Sequence, residues 1–188
     1  MRNFQRILNN MPIMPLLLAV KQQESLWDTH TLRTETDGTP HKEVSDIWLR
    51  FNSIEQYPDA ESAAAGVFND LECVNYPGWY ALPQARWMLL DLIRLVEGIR
   101  LGRVLITRLP PGKRIPRHAD GGQPAEYYER YCVVLQNLPG SLMASGKEIV
   151  QMAAGEAWWM NNREEHEVMN NSEDDRIVLI ADIRPATP

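Results

Sequence analysis

Short apolar runs broken by Pro, Gly and Asn turns fill the second half of the chain, and helical periodicity is confined to the first. The runs Val104 to Leu109, Tyr131 to Gln136, Ser141 to Met143, Glu148 to Met152, Ala157 to Met160, Glu167 to Asn170 and Arg176 to Ile183 have the length and spacing of strands in an antiparallel barrel or sandwich. Before them, Ala64, Val67, Phe68 and Leu71 recur at i, i+3, i+4 and i+7, which predicts a helix from about Ala60 to Glu72 capped by Asp59. A second helix is predicted from Pro83 to Glu97, with Pro in its first turn, Gly98 beyond its end, and a face of Leu89, Leu92, Ile93 and Val96. Both stripes should pack on the outside of the sheet. Thr29 to Lys42 is polar, contains Gly38 and Pro40, and reads as a loop or lid. Trp48-Leu49-Arg50-Phe51 reads as a strand with Trp48 and Arg50 on one face, Trp48 serving the core. In Trp158-Trp159-Met160, alternation turns one indole inward and the other outward.

Composition narrows the class. At 188 residues, 44% hydrophobic and 23% charged, the chain is expected to be one domain, residues 1–188, in which 1–100 supply N-terminal strands and supporting helices and 101–188 a β core. A net charge of −6 argues against tight nucleic-acid binding, which draws on clustered Lys and Arg. Arg108, Lys113, Arg114 and Arg117 form either a solvated loop or a basic mouth for an anionic ligand. Cys73 and Cys132 are the only cysteines, too few for a disulfide scaffold, so a cytoplasmic setting is expected. Arg2 and Arg6 precede an apolar stretch like that of a secretory leader, but Pro12 and Pro15 interrupt it. No run reaches the roughly 20 apolar residues that span a bilayer.

Chemistry concentrates in His118-Ala119-Asp120, His166 and Arg176. In extended backbone, residues i and i+2 share a face, so His118 and Asp120 can offer an imidazole and a carboxylate to one ion, with His166 as third ligand. Two imidazoles and one carboxylate on one face of a cation form the facial triad of non-haem Fe(II) oxygenases and leave positions open for reaction partners. Glu165 and Glu167 flank His166 and should turn away from the ion. Arg176 heads the apolar run Ile177 to Ile180. A strand Arg facing a cavity suits a dicarboxylate, because its planar fork of donors stays charged when buried; the alternative is a surface Arg paired with Asp174 or Asp175. His30 and His41 sit in the polar N-terminal stretch and carry little catalytic expectation.

Gly102-Arg103-Val104, Pro111-Gly112, His118-Ala119-Asp120, Gly155-Glu156-Ala157-Trp158-Trp159, His166-Glu167-Val168-Met169-Asn170 and Arg176 to Ile183, taken in order, resemble the aspartyl/asparaginyl β-hydroxylase family of 2-oxoglutarate and Fe(II)-dependent oxygenases. The resemblance implies a mainly β fold, a double-stranded β-helix (jelly-roll, cupin-like) barrel with N-terminal helices packed on its outside. It places His118, Asp120 and His166 on the iron ligands, Arg176 on the distal carboxylate of 2-oxoglutarate, and Arg130 and Thr107 on further cosubstrate contacts. Cys132 stands where mammalian members carry a second cosubstrate-contacting His, and Asp120 where they carry Gly, as in the three-ligand bacterial proline hydroxylases placed in the family. The implied partners are 2-oxoglutarate, dioxygen and an amino acid, peptide or protein whose unactivated C–H bond is hydroxylated, most simply at an Asp- or Asn-like residue. A cupin-type metal isomerase or hydrolase, or a non-catalytic ligand-binding barrel, is the alternative, and it has no use for Arg176.

Overall fold

The computed structural model describes residues 1–57 and 66–186. The apolar runs of the second half become strands of two antiparallel sheets. The larger has the order β1 (Phe4–Leu8), β9 (Ala157–Met160), β6 (Glu129–Gln136), β11 (Arg176–Pro185), β4 (Gly98–Leu109), β2 (Ser45–Phe51), β3 (Val74–Asn75); the smaller runs β5 (Arg114–His118), β10 (His166–Asn170), β7 (Ser141–Ser145), β8 (Glu148–Val150). This is the double-stranded β-helix that the sequence leads one to expect. N-terminal strands are built into it, since β2 lies beside β4 and β1 beside β9.

Alternation along the strands sorts residues into two cores. Ile177, Leu179, Ala181 and Ile183 of β11 join Val104, Ile106, Val133 and Leu135 under the helices. The opposite face of the same strands, with Val178, Cys132, Val134 and Leu109, meets Ile115, Met143, Val150 and Val168 of the smaller sheet. Helix α1 (Met14–Gln22) and helix α4 (Pro83–Leu95) cover the outer face through Leu16, Val20, Ala85, Met88, Leu89 and Leu92. Full burial of a side chain such as Leu16 or Leu92 is worth about 1.5–3 kcal/mol. Two short helices, α2 (Leu32–Glu35) and α3 (Pro77–Ala81), precede α4, and α5 (Gly122–Tyr127) follows β5.

Several expectations change. The predicted cap Asp59 and the residue Ala64 lie outside the described residues; beyond them Val67–Asn69 forms only a 3-10 turn and Asp70 is already extended, so no helix reaches Glu72. Phe68 faces the site cavity and not the outside of the sheet. Helix α4 stops at Leu95, and its left-handed terminating residue is Glu97 (φ 51°). Gly98 opens β4, where a Cβ would lie 2.6 Å from Ile183 Cγ2 on the paired strand β11 and 3.2 Å from Ile93 Cγ2 of α4; the glycine serves close approach of both. Pro15 does not interrupt the N-terminal apolar stretch: it stands in the first turn of α1, where a missing N–H costs nothing. A register shift between Trp48 and Arg50 puts Phe51, not Arg50, beside Trp48, with ring centroids 4.1 Å apart. Trp48 is core, as expected. Trp158 enters the inter-sheet core, and Trp159 packs outward, its Nε1 donating to Glu129 at 2.7 Å.

Candidate metal centre and cavity

Strand β10 delivers His166. Its burial alternates, with His166, Val168 and Asn170 buried between the sheets and Glu167 and Met169 half-open. His166 is the register partner of His118, the last residue of β5, and the two ring centroids are 4.4 Å apart. Asp120 arrives differently from the i, i+2 argument, because it lies beyond the end of β5. Its N–H donates to the Asn162 carbonyl at 2.9 Å, Asn162 Nδ2 donates to its carboxylate at 3.1 Å, and Arg130 Nη1 donates to the same oxygen. The ligand atoms of His118, Asp120 and His166 all fall within 4.8 Å of one another.

Both imidazoles are oriented for a cation. His118 Nδ1 faces the Pro116 carbonyl at 2.8 Å and His166 Nδ1 the Glu164 carbonyl at 3.0 Å. A carbonyl only accepts, so each Nδ1 carries the proton and each Nε2 lone pair is left for a ligand role. Nε2 of His118 is buried without a hydrogen-bond partner among the described residues, 3.5 Å from Asp120 Oδ1. An orphaned lone pair beside a carboxylate and a second imidazole is what a divalent cation satisfies. Burial holds the His166 pKa below its ordinary value, the neutral form a metal needs. Burial opposes ionisation of Asp120, but Arg130, His118, His166 and Asn162 outweigh it and hold its carboxyl well below the usual range.

The other anticipated residues are placed as follows. Arg130, on β6, is gripped by Asp182 of β11 (Nε to Oδ1 2.9 Å, Nη2 to Oδ2 3.1 Å) as well as by Asp120. The guanidinium therefore orients the triad carboxylate. Arg176 is 5% exposed and shares the inner face of β11 with Val178; among the described residues it has no acidic partner, and Asp174 and Asp175 do not pair with it. Burial pulls its pKa down, and the Cys132 thiol acts against that shift. Thr107 is buried on β4, in register with Val178. Cys132 is buried, its Sγ 3.8 Å from Met160 Sδ. Glu167 turns outward to Arg117 at 2.8 Å. Three of the four basic residues are paired, Arg108 with Glu24, Lys113 with Glu43 and Arg117 with Glu167, while Arg114 meets Glu43 through its backbone N–H.

A cavity of about 350 Å³ opens in front of His118 and Asp120. Phe51, Phe68, Leu105 and Ile180 form apolar wall, and Thr36 to His41 form the rim, so the polar 29–42 segment borders the site as a lid would. His41 comes within 5.1 Å of His118, centroid to centroid. Three contributors escaped the sequence: His41, Asn162 and Asp182. Asp182 had a signal, an acid on the Arg176 face of an apolar strand; His41 and Asn162 had none.

Geometry thus gives a double-stranded β-helix carrying a His–Asp–His group able to hold a metal ion. The sequence signature described as Aspartyl/Asparaginyl beta-hydroxylase matches residues 77–185, and the chain belongs to that family. It is an Fe(II) and 2-oxoglutarate-dependent oxygenase of hydroxylase type. No curated protein matches the sequence. Among solved structures the fold is similar to a prolyl hydroxylase from Trichoplax adhaerens in complex with a hypoxia inducible factor oxygen degradation domain peptide fragment (TM-score 0.61, 13% identity, 97% of this chain and 83% of that one). It is also similar to an oxidoreductase of the 2OG-Fe(II) oxygenase family from Burkholderia pseudomallei (TM-score 0.55, 14% identity, 88% and 87%). A Pseudomonas putida prolyl-4-hydroxylase follows at TM-score 0.51, 14% identity, covering 97% and 92%.

Proposed function

We propose that this oxygenase hydroxylates an amino-acid carbon, in a peptide or a free amino acid, with His118, Asp120 and His166 holding Fe(II) and Arg176 holding the distal carboxylate of 2-oxoglutarate. Arg176 carries the reading. A guanidinium sealed between two sheets with no acidic partner among the described residues is costly unless a ligand supplies the counter-charge. A dicarboxylate does so with bidentate geometry. Cupin isomerases and simple ligand-binding barrels leave that arginine unexplained.

An iron held there together with 2-oxoglutarate would supply activation of dioxygen, the oxidant: 2-oxoglutarate would be oxidised to succinate and carbon dioxide, with one oxygen atom of dioxygen ending in succinate and the other on the substrate carbon. The chain supplies the rest. Arg130 and Asn162 aim the Asp120 carboxylate, the Pro116 and Glu164 carbonyls fix both imidazole tautomers, and the apolar wall of Phe51, Phe68, Leu105 and Ile180 limits water around the reacting carbon. Support for an amino-acid substrate comes from the family described as Aspartyl/Asparaginyl beta-hydroxylase and from a fold relative bound to a peptide fragment.

The test is anaerobic addition of Fe(II) and 2-oxoglutarate. A weak visible metal-to-ligand charge-transfer band is expected, since three protein ligands leave room for a bidentate cosubstrate. No band together with no 2-oxoglutarate affinity rejects the assignment of these residues.

A further inference from the structure

His41 is far from the triad in sequence and beside it in space. Its ring lines the cavity and stands edge-on to His118. Arg33 holds it there: Nη2 meets His41 Nδ1 at 3.0 Å, and Nη1 donates to Asp46 Oδ2 at 2.6 Å. Guanidinium has no acceptor, so His41 Nδ1 must accept, and the proton of the neutral ring sits on Nε2. The two ring nitrogens point to nearly opposite sides, so Nε2–H is directed away from Arg33. Among the described residues it meets no acceptor.

The device is anchored at every joint. Asp46 sits on β2 with its side chain fully buried, and the Arg33 side chain is 11% exposed. The Thr39 hydroxyl donates to the Arg33 carbonyl at 2.7 Å and accepts the His41 N–H at 3.2 Å, and the Val44 N–H donates to the His41 carbonyl at 3.1 Å. The Asp46–Arg33 ion pair would be complete without an imidazole. What His41 adds is one oriented neutral N–H beside the metal ligands.

We infer that His41 is a substrate-positioning donor, its Nε2–H receiving a carbonyl or carboxylate oxygen of an amino-acid or peptide substrate in the cavity. This rests on the function proposed above. Pinning one oxygen at His41 while the side chain lies against Phe51, Phe68, Leu105 and Ile180 fixes which C–H faces the triad. A compound without that oxygen leaves the N–H unpaired and is rejected.

The wild-type chain, His41→Gln and His41→Phe are compared as full-length proteins with Fe(II) and 2-oxoglutarate. The anaerobic charge-transfer band should be the same in all three; its absence from wild type rejects the oxygenase site and not the role of His41. Succinate release is then measured with the twenty free L-amino acids and with N-acetylated tripeptide amides centred on Asp, Asn or Pro as probes. For a probe that stimulates wild type, His41→Phe should raise KM about tenfold, the scale of one lost hydrogen bond, and yield fewer hydroxylations per succinate. His41→Gln, which keeps an N–H donor, should recover most of both. Long-range 1H–15N spectra of the wild type should show the proton on Nε2. The inference is overturned by unchanged KM and coupling in His41→Phe, by a proton on Nδ1, or by no stimulation from any probe, which removes the substrate class named.

Discussion

At the scale of single residues, Arg176 makes the clearest trade of stability for binding. Its charge is buried without an acidic partner among the described residues, so Arg176→Leu should melt at a higher temperature than wild type in the absence of ligand and lose the stabilisation that 2-oxoglutarate gives wild type. Arg176→Gln should weaken 2-oxoglutarate by about two to three decades, read by titrating the charge-transfer band, with Fe(II) affinity unchanged because the metal ligands stand on other elements. Equal 2-oxoglutarate affinity in Arg176→Gln would make the arginine a packing residue. The triad gives the converse pattern: His118→Ala or His166→Ala should abolish Fe(II) binding, measured by metal content, and leave the circular dichroism spectrum intact, since neither ring belongs to a hydrophobic cluster. The chain exposes much of this at residue level. His118, Asp120, His166 and Arg176 are legible because ligand chemistry restricts residue type and strand periodicity restricts spacing. His41 is illegible because an imidazole in a polar loop acquires meaning only from Arg33 and Asp46, and both owe their positions to tertiary folding.

At the scale of elements, β4, β6 to β11 and the middle of β2 are legible and the edge strands β1, β3 and β5 are not, for a physical reason. β4, β6, β9 and β11 are buried on both faces and therefore read as apolar runs. β5, Arg-Ile-Pro-Arg-His, is an edge strand with only Ile115 buried, and β1 is another edge with Phe4 as its one buried side chain. Edge strands form because a neighbour offers hydrogen bonds, and composition does not record the neighbour. The α4–β4 junction shows the same limit. Glycine looks like the helix terminator, yet Glu97 takes the left-handed conformation and Gly98 accommodates Ile183. Two opposite outcomes follow for thermal melts. Glu97→Gly should stabilise by about 0.5–1 kcal/mol by relieving a left-handed non-glycine residue. Gly98→Ala should destabilise by about 1–3 kcal/mol, because the methyl has to displace Ile183. If Gly98→Ala were neutral, the close contact with Ile183 would not be what fixes the glycine.

At the scale of the whole molecule, the buried imidazoles tie folding to pH. Burial lowers the pKa of His166 and of His41, with Arg33 and His118 reinforcing the shift at His41, and burial also lowers that of the more open His30. Unfolded, each titrates near its model value of 6.5. As pH falls below that value the unfolded chain takes up protons that the folded chain refuses, so stability is fully present above about 6.5 and declines toward the lower folded values. The slope for one such ring cannot exceed about 1.4 kcal/mol per pH unit, and it is smaller for His30, which solvent screens. Asp120, held below its model value of 3.8, adds a further loss only in stronger acid. Asp46, raised by burial against the pull of Arg33, works in the opposite sense, one carboxyl against the imidazoles. The metal-free protein should therefore show a level Tm from about pH 7 to 8 and a steady fall from about pH 6.5 to 5. Metal affinity should drop in the same interval, because a proton on His166 competes with the cation. Melts of metal-free wild type and His41→Gln across this range test the account: the variant should fall less steeply. A wild-type Tm that stays constant from pH 7 to 5 would mean that these rings are not held neutral by the fold.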